Sequence, residues 1–173
     1  MFAEPKTLAE FNAWANSRLH AACAELDAAE LKRDRGAFFD SILGTLNHIL
    51  LVDILYRERL EGRSTQFTSL DQILHADLAD LTVAQQAEDA YYIDHMSMLA
   101  PADFERPIGF ETLMDAPEYW EVPRSVYFTN LFQHQVHHRG QTHNMVSQAG
   151  LEPPPIGFIE YMVEQGLRPV SNG

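Results

Sequence analysis

Apolar positions recur with a helical period in four long stretches of the chain. In the first, over about residues 7–24, Leu8, Phe11, Ala15, Leu19 and Ala22 form one stripe. Thr7 and Glu10 stand at capping-box spacing at its start. Residues 27–35 are polar and read as a turn. The second stretch, residues 36–60, is apolar over most of its circumference. At about 100° per residue, Leu51, Val52 and Leu55 share a face with His48, while Ile42, Leu46, Ile49 and Leu50 point elsewhere. A helix apolar nearly all round is buried on more than one side, and in a small bundle one of those sides is available as a subunit interface.

Residues 61–70 are polar and predict a loop, with a short helical turn over 70–76. The third helix is predicted over 82–99, with Thr82 and Gln85 at capping-box spacing and Pro101 just beyond its end. From 102 to 122 the helical period is absent, and Pro107, Gly109 and Pro117 punctuate the segment. There, 104–110 and 119–122 are predicted to pair as a short β-hairpin. The fourth helix starts near Pro123, a first-turn residue, and stops at Gly150. After "EPPP" (152–155), residues 156–167 predict a last short helix. The fold expected is all-α: a four-helix bundle with a hairpin between its third and fourth helices and a short C-terminal helix.

A length of 173 residues fits one domain over residues 1–173, and 46% hydrophobic with 21% charged residues is globular composition. Charge narrows the partners. The 25 acidic against 12 basic residues give −13, which repels phosphate backbones and anionic membranes. Nucleic acid and membrane are therefore not expected as partners, whereas a small anion at a locally positive or metal-bearing site is compatible. Cys23 is the only cysteine, so no intrachain disulfide or Cys-based metal framework exists, and it is expected to be inert packing. The N-terminus lacks a basic start followed by an apolar run, so no signal peptide is expected. The greasiest stretch, residues 42–56, is too short for a bilayer and carries Asn47, His48 and Asp53. A soluble, cytoplasmic protein is the expectation.

The densest chemistry is "HQVHHRGQTH" (134–143), with four of the chain's eight histidines. Helical geometry divides them. His134 and His138, four apart, lie about 40° from each other on one face, with Tyr127, Asn130 and Met145 on the same side. His137 sits at the edge of that row, and His143 points away. A His-x₃-His pair on a helix can clamp one ion at about 2.0–2.1 Å, but two ligands hold it weakly. His48, mid-helix among apolar neighbours, is by spacing alone either a hydrogen-bonded core histidine or the third ligand. Gln141 is placed either to hydrogen-bond a metal-bound water or ligand, as the one catalytic candidate, or to be capped by a neighbouring backbone or side chain. Arg139 turns about 140° from His134 and is paired here with Asp53, turned similarly from His48. Asn12 and Asn16 are read as partly exposed, and Trp14 as packing at an interface or under the C-terminal segment.

"FNAWANSRL" (11–19), "LNHILLVDILYRERLEG" (46–62) and "HQVHHRGQ" (134–141) together resemble the DinB family over nearly the whole chain. The resemblance implies a DinB/YfiT-like bundle, often a homodimer, with a divalent metal (nickel or zinc) held by three histidines. Carried over residue by residue, these are His48, His134 and His138. Some members of that family are thiol-dependent transferases or isomerases acting with low-molecular-weight thiols, and fold does not fix which activity a member has.

Three neutral imidazoles leave a divalent ion its full charge and an open position. Water there becomes more acidic, and a thiol there is held as thiolate. No Asp or Glu lies within a turn of the helical pair to serve as the base that hydrolysis usually uses, so a thiol transferase is favoured over a hydrolase. The remaining class is a non-catalytic protein that binds metal or a small molecule.

Overall fold

The structure is a computed structural model that describes residues 4–113 and 116–166. Four long helices form the bundle: α1 (Pro5–Cys23), α3 (Ile42–Leu60), α4 (Leu78–Met98) and α5 (Arg124–Gln148). A single turn, α2 (Ala28–Lys32), precedes α3, and α6 (Phe158–Glu164) follows α5. Strands β1 (Pro107–Glu111) and β2 (Tyr119–Pro123) pair antiparallel with Phe110 opposite Trp120. The all-α bundle with one hairpin is as the periodicity predicts.

Several boundaries differ, each for a local reason. Helix α1 begins at Pro5, whose fixed φ and missing N–H suit a first turn, so Thr7 lies inside it and caps nothing. Helix α3 begins only after Ser41, because Asp40 sits at φ 60° and the Ser41 hydroxyl accepts from the Gly44 amide. The segment read as a polar turn contains α2, capped by Asp27 on the amides of Ala29 and Glu30. Helix α4 starts a turn earlier than expected, capped by Asp77. Thr82 is interior to it and donates back to the Leu78 carbonyl. Residues 70–76 form no helix. Residues 101–105 form a 3₁₀ turn, so the first hairpin strand is shorter than predicted. Pro123 is the N-cap of α5 rather than its first residue, and Gly150, at φ 87°, ends it as expected. The last helix covers Phe158–Glu164, and Leu167 of its predicted span lies outside the described residues.

Two apolar clusters set the helix directions. One gathers Ala9, Leu51, Leu55, Tyr92, Met96, Tyr127 and Leu131, the other Leu19, Cys23, Leu46, Leu50, Leu81, Met145 and Val146. Helices α1 and α5 run from the first cluster to the second, and α3 and α4 run the opposite way. The parallel pair α3 and α4 is joined by the crossover of residues 61–77. Cys23 is fully buried, and burial pushes its thiol up to about 12, consistent with inert packing. Among the described residues no helix is long and apolar enough to cross a membrane.

Between the clusters lies a polar layer that corrects two expectations. Asn12 and Asn16 are 4% and 3% exposed, not surface residues, and they displace Leu8 and Phe11 to the flank of the α1 stripe. Arg139 does not meet Asp53 directly. Its Nη1 donates to Asn12, Asn16 and Gln135, and Gln135 in turn donates to Asp53. Gln85 donates to Asp53 and Asp89, and Asp89 accepts from Asn12 and Asn16. These bonds close a ring through α1, α3, α4 and α5. Sequence spacing places each side chain on a face but does not show that buried amides will bridge a buried cation and two buried carboxyls. Trp14, by contrast, does pack under the C-terminal segment, donating to Glu164 and meeting the Tyr161 ring edge-on.

Candidate metal centre

His48 from α3 and His134 and His138 from α5 converge where these antiparallel helices pack side by side. One nitrogen from each lies within 4.8 Å of the others. The Nε2 atoms of His48 and His134 are 2.8 Å apart. Two nitrogens that each stand about 2.1 Å from one tetrahedral ion are themselves about 3.4 Å apart, so the two rings need to part by only about half an ångström to share a cation.

Two of the rings have their outer nitrogens engaged. His48 Nδ1 meets the Leu70 carbonyl at 2.8 Å, so it carries the proton and leaves Nε2 a lone pair. His138 Nδ1 meets Gln141 Oε1 at 2.8 Å, with the same consequence. Gln141 thus faces the back of a candidate ligand rather than the open side of the site, and its amide nitrogen reaches His137 at 3.1 Å. His134 Nδ1 is buried with no partner among the described residues. His137 is exposed at the rim, and His143 lies on the other side against the Pro154 carbonyl.

Burial keeps all three imidazoles neutral at pH 7. It lowers His48 to about 4, against the Leu70 carbonyl that favours the charged form, and lowers His134 to about 3, with His138 and His48 adding repulsion. His138 is lowered for the same first reason. Neutral imidazoles, two of them with their Nε2 lone pairs set by the Leu70 and Gln141 contacts, are the donor set that a borderline divalent ion takes. The site therefore fits a metal on its geometry and its protonation.

The sequence model of the DinB family matches residues 1–168. The chain belongs to the DinB family. Among solved structures, this DinB chain is similar to a DinB-like protein from Bacillus cereus ATCC 10987, with 17% identity over 82% of this chain and 90% of that one, at a TM-score of 0.59. At that identity the likeness concerns the fold. No curated protein matches the chain.

The DinB site has walls that the histidine spacing did not reveal. It opens into a cavity of about 460 Å³ lined by Phe39, Val52, Leu55, Tyr56, Arg59, Phe110, Leu113 and Asn130 besides the histidines. Phe39 stacks on His48 at 3.8 Å between ring centroids and meets His138 edge-on at 5.6 Å. Asn130 was visible on the histidine face of its helix, and it donates to the Tyr56 hydroxyl. Tyr127 and Met145, read on that same side, are core residues instead. Positions 52, 55, 56 and 59 follow His48 at helical spacing, a signal that was available. Phe39 and Leu70 come from connections whose path the sequence pattern does not encode, and Phe110 comes from β1, whose packing against the bundle it does not encode either. Two larger cavities, of about 860 and 620 Å³, open elsewhere and do not contain the histidine trio.

Proposed function

We propose that this DinB chain holds a divalent ion, nickel or zinc, on His48, His134 and His138 and uses it to activate a low-molecular-weight thiol for transfer to an electrophile. The observation that supports this reading is three neutral imidazoles converging on a cavity with no carboxylate among its described lining residues. A divalent ion bound there would lower the pKa of a thiol at its open position. The three rings add no negative charge, and the Leu70 carbonyl and Gln141 hold two of them in orientation. Val52, Leu55 and Leu113 give the cavity an apolar wall that limits water. In the transfer, the thiol proton leaves to solvent and a sulfur electron pair forms the new S–C bond. The leaving group departs with the pair of the bond that breaks.

Hydrolysis of a substrate at the same site calls for a base to take a proton from water, and the described lining offers none. The thiol route needs no such base. Elemental analysis of the purified protein is the first test, with about one equivalent of metal expected in the wild type and a large loss in His138→Ala. Full occupancy in the variant would sink the site as drawn. The second test follows chlorodinitrobenzene, which releases chloride as a thiol adds. Consumption should require both metal and thiol, and a rate unchanged by chelation would reject the transferase reading. Metal retention without turnover over a panel of electrophiles would instead make the chain a binding protein.

A further inference from the structure

The cavity is long, and its two ends differ. Along α3, His48, Val52, Leu55, Tyr56 and Arg59 share one face, so about 16 Å of helix axis separates the first from the last. Side chains on a helix tilt toward its N-terminus, which leans Arg59 back over the cavity. The middle of this face is apolar. Arg59 is the one permanently charged side chain among the described lining residues.

Among the described residues, Arg59 is held by neutral groups alone. Its Nη2 donates to the Glu111 carbonyl at 2.6 Å, and its guanidinium lies 4.5 Å from the Phe110 ring centroid and 5.7 Å from that of Tyr56. In a chain with 25 acidic residues, Arg59 has no carboxylate within ion-pair distance among the described residues. Beside it, the Tyr56 hydroxyl accepts from Asn130, and no acceptor for its own proton is present among the described residues. A planar cation with N–H groups to spare and a hydroxyl donor therefore face the same space. That pair matches a planar anion with two acceptor oxygens.

We infer that the cavity takes an elongated substrate whose far end, away from the histidines, carries a carboxylate held by Arg59 with the Tyr56 hydroxyl. This rests on the reading that the histidine end binds a metal-seeking head, here a thiol. The apolar stretch between the ends would cover the linking chain. Arg59 and Tyr56 then decide which thiols are accepted, while the histidines decide what is done to them.

The test uses cobalt- or nickel-loaded protein and ω-mercapto acids from mercaptopropionate to mercaptooctanoate, each beside the alcohol of the same length. Thiol binding is read from the sulfur-to-metal charge-transfer band. At the best chain length the acid should bind about tenfold more tightly than its alcohol, the effect of one charge-assisted hydrogen bond. Arg59→Met should erase that preference while keeping metal content and the melting curve. Arg59→Lys should keep part of it, because the charge remains and the fork is lost. Equal affinity for acid and alcohol at every length in the wild type overturns the proposal. If no thiol gives a band, the metal reading fails by itself. The anion end is then read in metal-free protein from the Arg59 Nε–H resonance. A shift with octanoate and none with octanol supports the arm, and no shift with either overturns it.

Discussion

His20 shows how one buried ring can tie stability to pH. It is 4% exposed, and its Nδ1 lies 2.8 Å from the Thr82 hydroxyl. That hydroxyl already donates to the Leu78 carbonyl, so its oxygen accepts and His20 carries its proton on Nδ1. Burial lowers the ring from 6.5 to about 4. Between those values the unfolded chain binds the proton and the folded chain does not, so stability falls as pH falls from 6.5 toward 4. The full effect is about 3 kcal/mol. Urea midpoints measured from pH 4 to 7 should drop less steeply for His20→Phe than for the wild type, and parallel curves would remove His20 as the cause. At this scale the sequence is readable where a rule needs only one helix. His134 and His138 are four residues apart, and their shared face follows. Asn12 and Asn16 do not follow from such a rule, because their burial depends on Arg139 and Asp89, more than seventy positions away in the chain.

The start of α3 matters most among the elements, because it positions His48 and its cover. The apolar pair Phe38–Phe39 extended the predicted helix back to Gly36, but the chain turns at Asp40 and the helix begins after Ser41. The turn swings Phe39 onto His48 and brings its carbonyl close to Gly44. A methyl on Gly44 would lie 2.2 Å from the Phe39 oxygen, so the backbone of the turn has to move. Gly44→Ala should therefore cost about 1–3 kcal/mol in spite of alanine's better helix propensity. It should also weaken metal binding, because Phe39 is stacked on one candidate ligand and edge-on to another. Thermal melts and a metal-competition titration read the two effects. A stabilised variant with unchanged metal affinity would mean that the turn yields freely. The sequence carried a signal here, a serine three residues before a glycine. The apolar residues on either side of Asp40 and Ser41 masked it. Helix α2 was missed for a different reason, since five residues are too few to show a period.

On the scale of the whole molecule, periodicity tells which face of a helix is buried but not which way the helix runs. The crossover of 61–77 and the parallel α3–α4 pair were therefore not legible, although the four helices were. What fixes their relative heights is the ring that joins Arg139, Gln135, Asp53, Gln85, Asp89, Asn12 and Asn16 between two apolar clusters. Sliding any one helix would strand polar groups where water does not reach. Burial lowers Arg139 to about 10 and raises Asp89 to about 6, so each charge is costly alone; the Asn16 and Gln85 amides and then Arg139 favour the Asp89 charge, and Asp89 and Asp53 favour that of Arg139. Arg139→Met should then cost about 3–5 kcal/mol, a large part of the stability of a chain this size. Asp89→Asn removes the opposing charge. If the two sense each other through the ring, the double variant loses less than the sum of the singles, with a coupling of about 1–3 kcal/mol. Urea unfolding of the four proteins measures it. An additive double variant would show that the amides between them, and not the two charges, hold the helices in register.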